Sequence, residues 1–401
     1  MSQDNPLVIG INYWPGETAT DWWKRFEPSI VKRDFSLLAE YRLELARIFL
    51  LWEDFQPEMK RISVKALENL VRAADIAHDL GIRLLPTFFC GHMRGVNWLS
   101  PWMVESGMGE EKFPLFSGGE VRRGRVRNLY ADREVWKAQK LLIHETTSAL
   151  QGYPSVWGWD LGNRISSLAL PASKNSVRAW LEEMVTELKR WDAALPITVG
   201  VHQNDLYEGR IPGPKEIAPL CEVLSVHAYP GDAPWANGPL DEKVPLFLCL
   251  LTRWLGGKKV LLEEFGVPTE PHLYSQSDAD REKLGNIRLV EEDEAETFFE
   301  KSLDLLKKEG IAGALAWCLY DFDSSLWEKL PFKERIHERY FGLFRGDRSP
   351  KMAARLIQQY PRAGRLGEMS YEWADITQEE YYEKPQAHLP RLYRNFQDQI
   401  R

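Results

Sequence analysis

Residues that can carry charge or move protons recur at the ends of short apolar runs in this chain. In order they are Asn12-Tyr13-Trp14, Arg47-Ile48-Phe49, His92, Trp159-Asp160-Leu161-Gly162-Asn163-Arg164, His202, His227-Ala228-Tyr229, Glu263-Glu264-Phe265-Gly266 and Trp317. A carboxylate can act as nucleophile or as acid and base, an adjacent cation favours its ionised form, and an indole offers a flat apolar face to a ligand. These groups are scattered from Asn12 to Trp317, so only a fold that returns many times to one place can assemble them.

The elements that would do so are regular. Leu7 to Tyr13, Leu45 to Leu51, Ile82 to Phe89, Val156 to Gly162, Ile197 to Val201, Val223 to Ala228, Lys259 to Glu264 and Ile311 to Leu319 read as strands rich in Val, Ile, Leu and Phe. Between them, Ser63 to Leu80, Asp132 to Leu150, Asn175 to Ala194, Glu291 to Glu309 and Pro350 to Tyr360 carry apolar residues at helical spacing. Ser63 is placed to cap one helix, and Gly81 and Gly310 to end two. Eight such units close most simply into an α/β fold, a single (β/α)8 TIM barrel, because closure removes both sheet edges and lets helices cover the outside. The barrel is expected over residues 1–363, with 364–401 as a C-terminal extension packed on it. A long loop follows strand three, from Cys90 to Ala131, and holds Trp98, Trp102 and the basic residues Arg122, Arg123, Arg125 and Arg127. In such barrels the site is built at the C-terminal strand ends, where the residues above fall.

Composition narrows the partners. With 51 Lys+Arg against 59 Asp+Glu, the net charge of −8 repels phosphate backbones and argues against nucleic acid. The hydrophobic share of 44% suits a packed globule, and no apolar run approaches the roughly 18 residues of a membrane span. MSQDNPLVIGINYW shows no basic segment followed by an apolar stretch, so a cytoplasmic location is expected unless a leader has been removed. Cys90, Cys221, Cys249 and Cys318 are far apart and read as packed, reduced thiols. No HxH or HExxH spacing, P-loop or GxGxxG after a strand is present, so no metal and no cofactor is expected. Sixteen tryptophans are the outlier, and Trp14, Trp22, Trp23, Trp52, Trp98, Trp102, Trp235, Trp317 and Trp327 fall at strand ends or in the loops after them. Sugars, with apolar C–H faces and hydroxyl rims, suit such slabs.

From residue 7 to about 360 the chain resembles glycoside hydrolase family 5 and its relatives, retaining (β/α)8 glycosidases of the cellulase and β-mannanase type. The motifs are LARIFLLWEDFQP, WDLGN after strand four, HAYP after strand six, LLEEFG at strand seven, a Trp closing strand eight, and FGLFRGDRSPKMA. Their order over eight units carries the resemblance. It implies an oligosaccharide or polysaccharide of β-linked hexose, mannan or glucan type, cleaved between two carboxyl groups about 5 to 5.5 Å apart. It also implies Glu264 as nucleophile, with Glu263 expected on the opposite strand face as a structural residue. Arg47 would keep Glu264 ionised, Asn163 would bond the sugar 2-hydroxyl, and Trp317 would be a sugar platform. His227 and Tyr229 point one way, with Tyr229 orienting Glu264, while His92, Trp14, Trp98 and Trp235 complete the sugar-binding candidates.

One part of the pattern is broken. Where the family has the Glu that serves as acid and base, this chain has Arg164, which cannot exchange a proton at neutral pH. Three explanations stand open. Asp232, Asp321 or Asp323 supplies the proton; Arg164 binds an anionic sugar or phosphorylated group whose leaving group needs little protonation; or this copy is inactive, by divergence or by replacement. In the inactive case Arg164 would pair with Glu264 or Asp232, and the chain would be a carbohydrate-binding pseudoenzyme. An aldolase or metal-dependent hydrolase finds no support, since no Lys ends a strand and no metal spacing is present.

Overall fold

The computed structural model describes residues 6–107, 111–271, 284, 287–363 and 371–400. Eight parallel strands close into a barrel in sequence order: β1 (Val8–Asn12), β2 (Leu45–Leu51), β3 (Arg83–Cys90), β4 (Trp159–Asn163), β5 (Ile197–His202), β6 (Val223–Ala228), β7 (Lys259–Phe265) and β8 (Gly313–Ala316), with β1 pairing β8. The eight expected strands are all present. The fourth starts later than expected because Val156 makes only an isolated bridge to Leu84, and the eighth is confined to Gly313–Ala316.

The helices follow from local signals. Val64–Asp79 starts where the Ser63 side chain accepts from the Ala66 N–H, and it buries Ala66, Leu70, Ala73, Ala74 and Ala77 against the barrel. Gly81 ends it at φ +69°, a conformation that penalises residues with a Cβ. Arg133–Ala149 is capped by Asp132, and Lys174–Trp191 by a box between Ser173 and Ser176.

Alternation along the strands builds the site in layers. Leu45, Leu85, Val223, Leu261 and Leu315 fill the lower barrel interior. Two residues further on the same inward face lie Arg47 after Leu45, Thr87 after Leu85 and Glu263 after Leu261, so a polar layer sits directly on the apolar one. Outward residues such as Leu262 and Phe265 join the larger core beneath the helices, where Phe265 meets Phe298 and Phe299.

The long segment after β3 is not irregular. His92–Met93, Val96–Trp98, Leu115–Ser117 and Glu120–Arg122 form a small sheet, and Val104–Glu105 pairs with Arg125–Val126. Helix Pro385–Gln399 lays Tyr393 and Phe396 against Phe247, and Tyr381 donates to the Leu206 carbonyl at 2.9 Å. No described helix is long and apolar enough to cross a membrane.

Candidate active site

Arg47 is the hub of the polar layer and is wholly buried. Its Nη1 donates to Glu264 Oε1 at 2.7 Å, and its Nη2 to Asp160 Oδ2 at 2.7 Å and Asn163 Oδ1 at 3.0 Å. Nη2 also lies 3.3 Å from Glu263 Oε2, while Nε donates to Thr87 Oγ1 at 3.0 Å. The other Glu264 oxygen accepts from the Tyr229 hydroxyl at 2.8 Å, with His227 Nδ1 3.4 Å away. His227 Nε2 is 3.1 Å from Glu263 Oε2.

The expectation that Glu263 turns to the opposite strand face is corrected here. Continuing the alternation from Leu261 puts Glu263 inside, and a register shift then brings Glu264 inward as well: Val226 pairs with Leu262, but His227 pairs with Glu264. One extra residue at this bulge lets two successive carboxylates face the same interior.

Three carboxylates around one guanidinium in a dry layer cannot all be charged cheaply. Burial disfavours the charge on Arg47, but Glu263, Asp160 and Glu264 outweigh it and hold the cation more firmly protonated than usual. Burial, then the charge of Glu263, push Asp160 up to about 7. Yet Asp160 accepts from Gly162 N, Gly200 N and two Arg47 nitrogens, which leaves a proton no direction in which to donate. Burial raises Glu263 too, against the opposing charge of Arg47. Burial holds His227 down at about 3, hence neutral. Its ring thus faces Glu263 through Nε2 and Glu264 through Nδ1.

Above this floor opens a cavity of about 220 Å³, lined by Glu264, Asn163, Arg164, Tyr229 and Trp317 and also by Arg94, Asp232, Arg288, His337 and Glu338. Arg164 stands at φ 49°, ψ 45°, where β4 breaks sharply after Asn163. Its guanidinium makes no hydrogen bond or ion pair with any described residue, and its Nε is buried without a partner. The expected pairing with Glu264 or Asp232 in a dead site is therefore absent. Trp317 donates to Glu338 Oε2 at 3.3 Å, and the Arg94 guanidinium lies 4.7 Å from the Trp317 ring and 3.6 Å from the same carboxylate.

Several expected contributors lie elsewhere. Trp14 is buried and stacks on Phe49 at 4.8 Å, Trp98 donates to the Met93 carbonyl and packs on Phe116, and Trp235 packs on Phe247 and Tyr393 beside the C-terminal helix. Trp22, Trp23 and Trp52 are also in the core. Their loops fold down over the barrel, and so large an apolar surface is better covered than left at the rim. His92 is buried against Phe113 with Nδ1 2.7 Å from Asn97, and meets the site only through its carbonyl, which accepts from Asn163. His202 caps the helix Gln203–Glu208. Of the three candidate proton donors, Asp321 is held by Lys351 and Gly342, and Asp323 caps Ser325. Asp232 alone lines the cavity, and crowding by protein lifts its carboxyl above the ordinary range. No described group of His, Cys, Asp and Glu is placed to hold a metal ion. Sequence reasoning missed Arg94, His337 and Glu338; the one available signal was their position in loops after β3 and β8.

No protein-family model matches the sequence, and no curated protein does. Solved structures share the barrel. A variant of GH5_18 from Streptomyces cattleya, in complex with Manβ1-4GlcNAc, is 21% identical at TM-score 0.73, covering 90% of this chain and 83% of that one. A variant of GH5_18 from Bifidobacterium longum, in complex with the same disaccharide, is 19% identical at TM-score 0.73, covering 91% and 81%. The exo-β-1,4-mannosidase Op5Man5 from Opitutaceae bacterium strain TAV5 is 22% identical at TM-score 0.69, covering 88% of this chain and 58% of that one. The chain thus has the (β/α)8 fold of glycoside hydrolase family 5 structures.

Proposed function

We propose that this protein is a retaining β-glycosidase-type enzyme acting on a β-linked hexose, a β-mannoside in the first instance, with Glu264 as nucleophile. The observation that carries the reading is the grip on Glu264: Arg47 donates to one oxygen and Tyr229 to the other, at the floor of a cavity walled by Trp317. Two fixed donors aim a carboxylate at an anomeric carbon lying above it, and Asn163 beside it suits the sugar 2-hydroxyl. The mannoside preference is borrowed from the disaccharide and mannosidase of the structural neighbours.

A second reading, a carbohydrate-binding pseudoenzyme, is favoured by one observation, the arginine at the position where a proton donor belongs. Burst kinetics separate the two. An aryl β-hexoside with a good leaving group, such as a 2,4-dinitrophenyl glycoside, needs no acid, so the enzyme reading expects a phenolate burst stoichiometric with protein. Absence of a burst across manno-, gluco- and galacto-configured substrates would favour the binder.

A further inference from the structure

We infer that Arg164 is an oxyanion site, and that the group leaving from the sugar, or returning to it, is the anion of an acid, a phosphate or a carboxylate, rather than a sugar alcohol. The inference rests on Glu264 being the nucleophile.

The guanidinium lines the cavity with Glu264 yet is bonded to no described residue, and its buried Nε lacks any acceptor. Leaving a buried donor unsatisfied costs on the order of 1–3 kcal/mol, so a side chain kept in this state is matched to something that arrives. The nearby carboxylates do not fill the role. Glu264 is held by Arg47 and Tyr229, Glu338 is engaged by Trp317 and Arg94, Asp205 feels the Arg164 charge but accepts from Ser166 and the His202 N–H, and Asp232 forms no ion pair within 4.0 Å with any described residue. Around Arg164, burial first and the guanidinium charge second keep His92 and His202 neutral. The wall beyond β4 and β5 therefore presents one concentrated positive charge whose planar fork fits a two-oxygen anion.

The chemistry agrees with that placement. An alkoxide cannot leave without a proton, and arginine cannot give one. A carboxylate can, because its conjugate acid has a pKa of about 4, and so can hydrogen phosphate leaving from a hexosyl phosphate monoanion, because its conjugate acid is titrated near neutrality rather than in the alcohol range. In the first step a Glu264 oxygen bonds C1 while the C1–O bond to the leaving group breaks; the electron pair departs on that oxygen towards Arg164, and no proton moves. In the second, an oxyanion on Arg164 such as hydrogen phosphate attacks C1 and the C1–Oε bond breaks. The products are the hexosyl phosphate monoanion and the Glu264 carboxylate. Water in that place would need a base, so hydrolysis is the slow exit.

The test uses the full chain and the adduct formed with a 2-deoxy-2-fluoro-β-hexosyl fluoride, whose fluoride leaves without acid. The adduct is then discharged in phosphate, in acetate or in chloride of equal ionic strength. Expected is discharge by phosphate or acetate on the order of tenfold faster than in chloride, the scale of one charge-assisted hydrogen bond, with hexosyl phosphate or hexosyl acetate as product. Response to phosphate alone assigns a phosphoryl source, and to acetate alone an acyl source. Arg164→Met should lose the acceleration and Arg164→Lys keep part of it, and adduct formation by either variant shows that it is folded. Equal discharge in all three salts, or an acceleration that survives Arg164→Met, overturns the inference and leaves Glu264 as nucleophile. Failure of wild-type protein to form any adduct overturns both.

Discussion

The floor of the cavity and its mouth are built on opposite terms. On the floor nearly every charge has a partner: Arg47 touches three carboxylates, Asn163 and Thr87, and Glu264 has a donor on each oxygen. At the mouth, one residue beyond Asn163, the positive charge of Arg164 stands without any partner among the described residues. The first is an arrangement complete before a ligand arrives, whose function is to hold one carboxylate still. The second is completed only by a ligand. The contrast teaches that Arg164 is neither paired with a described neighbour nor turned away from the cavity.

Substitutions can break or sharpen that contrast. The largest effect is expected where floor and cavity meet: Glu264→Ala should lower turnover of an activated β-glycoside on the order of 10⁴-fold or more, while calorimetry finds sugar affinity little changed. Arg47→Met leaves buried carboxylates uncompensated and should cost about 3–5 kcal/mol in urea unfolding. The same change at Arg164 breaks no bond and removes a buried donor that has no partner among the described residues, so it should leave stability unchanged or raise it by about 1–3 kcal/mol; equal losses at the two sites would erase the distinction between floor and mouth. Arg164→Glu would place an acid and base beside the sugar under the proposed reading, and should raise hydrolysis of unactivated β-mannosides roughly 10²–10⁴-fold, read by sugar release.

The floor also has a pH signature. His227 is held down at about 3 in the fold, against about 6.5 unfolded. Between those values the unfolded chain binds a proton that the folded chain does not, so the contribution of His227 is present above the unfolded value and is lost as pH falls. In His227→Gln that dependence is gone, and the stability gap to wild type should shift by about 2 kcal/mol against wild type from about pH 7 to pH 5. A gap independent of pH would mean that His227 titrates in the fold as it does unfolded, and a gap that moves in favour of wild type as pH falls would mean that it is charged there. The smallest effect is expected for Tyr229→Phe, which removes one donor from Glu264 and should lower kcat about tenfold with KM nearly unchanged.

How legible all this was in the sequence depends on periodicity. Strand and helix order could be read because eight apolar runs alternate with helical spacing, and Ser63, Gly81 and Gly310 mark ends by simple stereochemistry. Glu264, Arg47, Asn163, Tyr229 and Trp317 could be placed because they occupy strand ends, whose position in a barrel is set by the fold. Glu263 was misplaced because a bulge breaks the period of two on which the reading relied. Trp14, Trp98 and Trp235 were misplaced because loop conformation has no period, and packing decides whether an indole faces solvent or core. Glu338 and Arg94 escaped notice for the same reason: each reaches the cavity from a loop, and only folding brings them together over Trp317.

The most direct measurement is peptide mapping after inactivation with 2-deoxy-2-fluoro-β-mannosyl fluoride. The account predicts a single glycosyl label on Glu264, in the peptide containing LLEEFG. A label on Glu263, Asp232 or Glu338, or none with any hexosyl configuration, would contradict it.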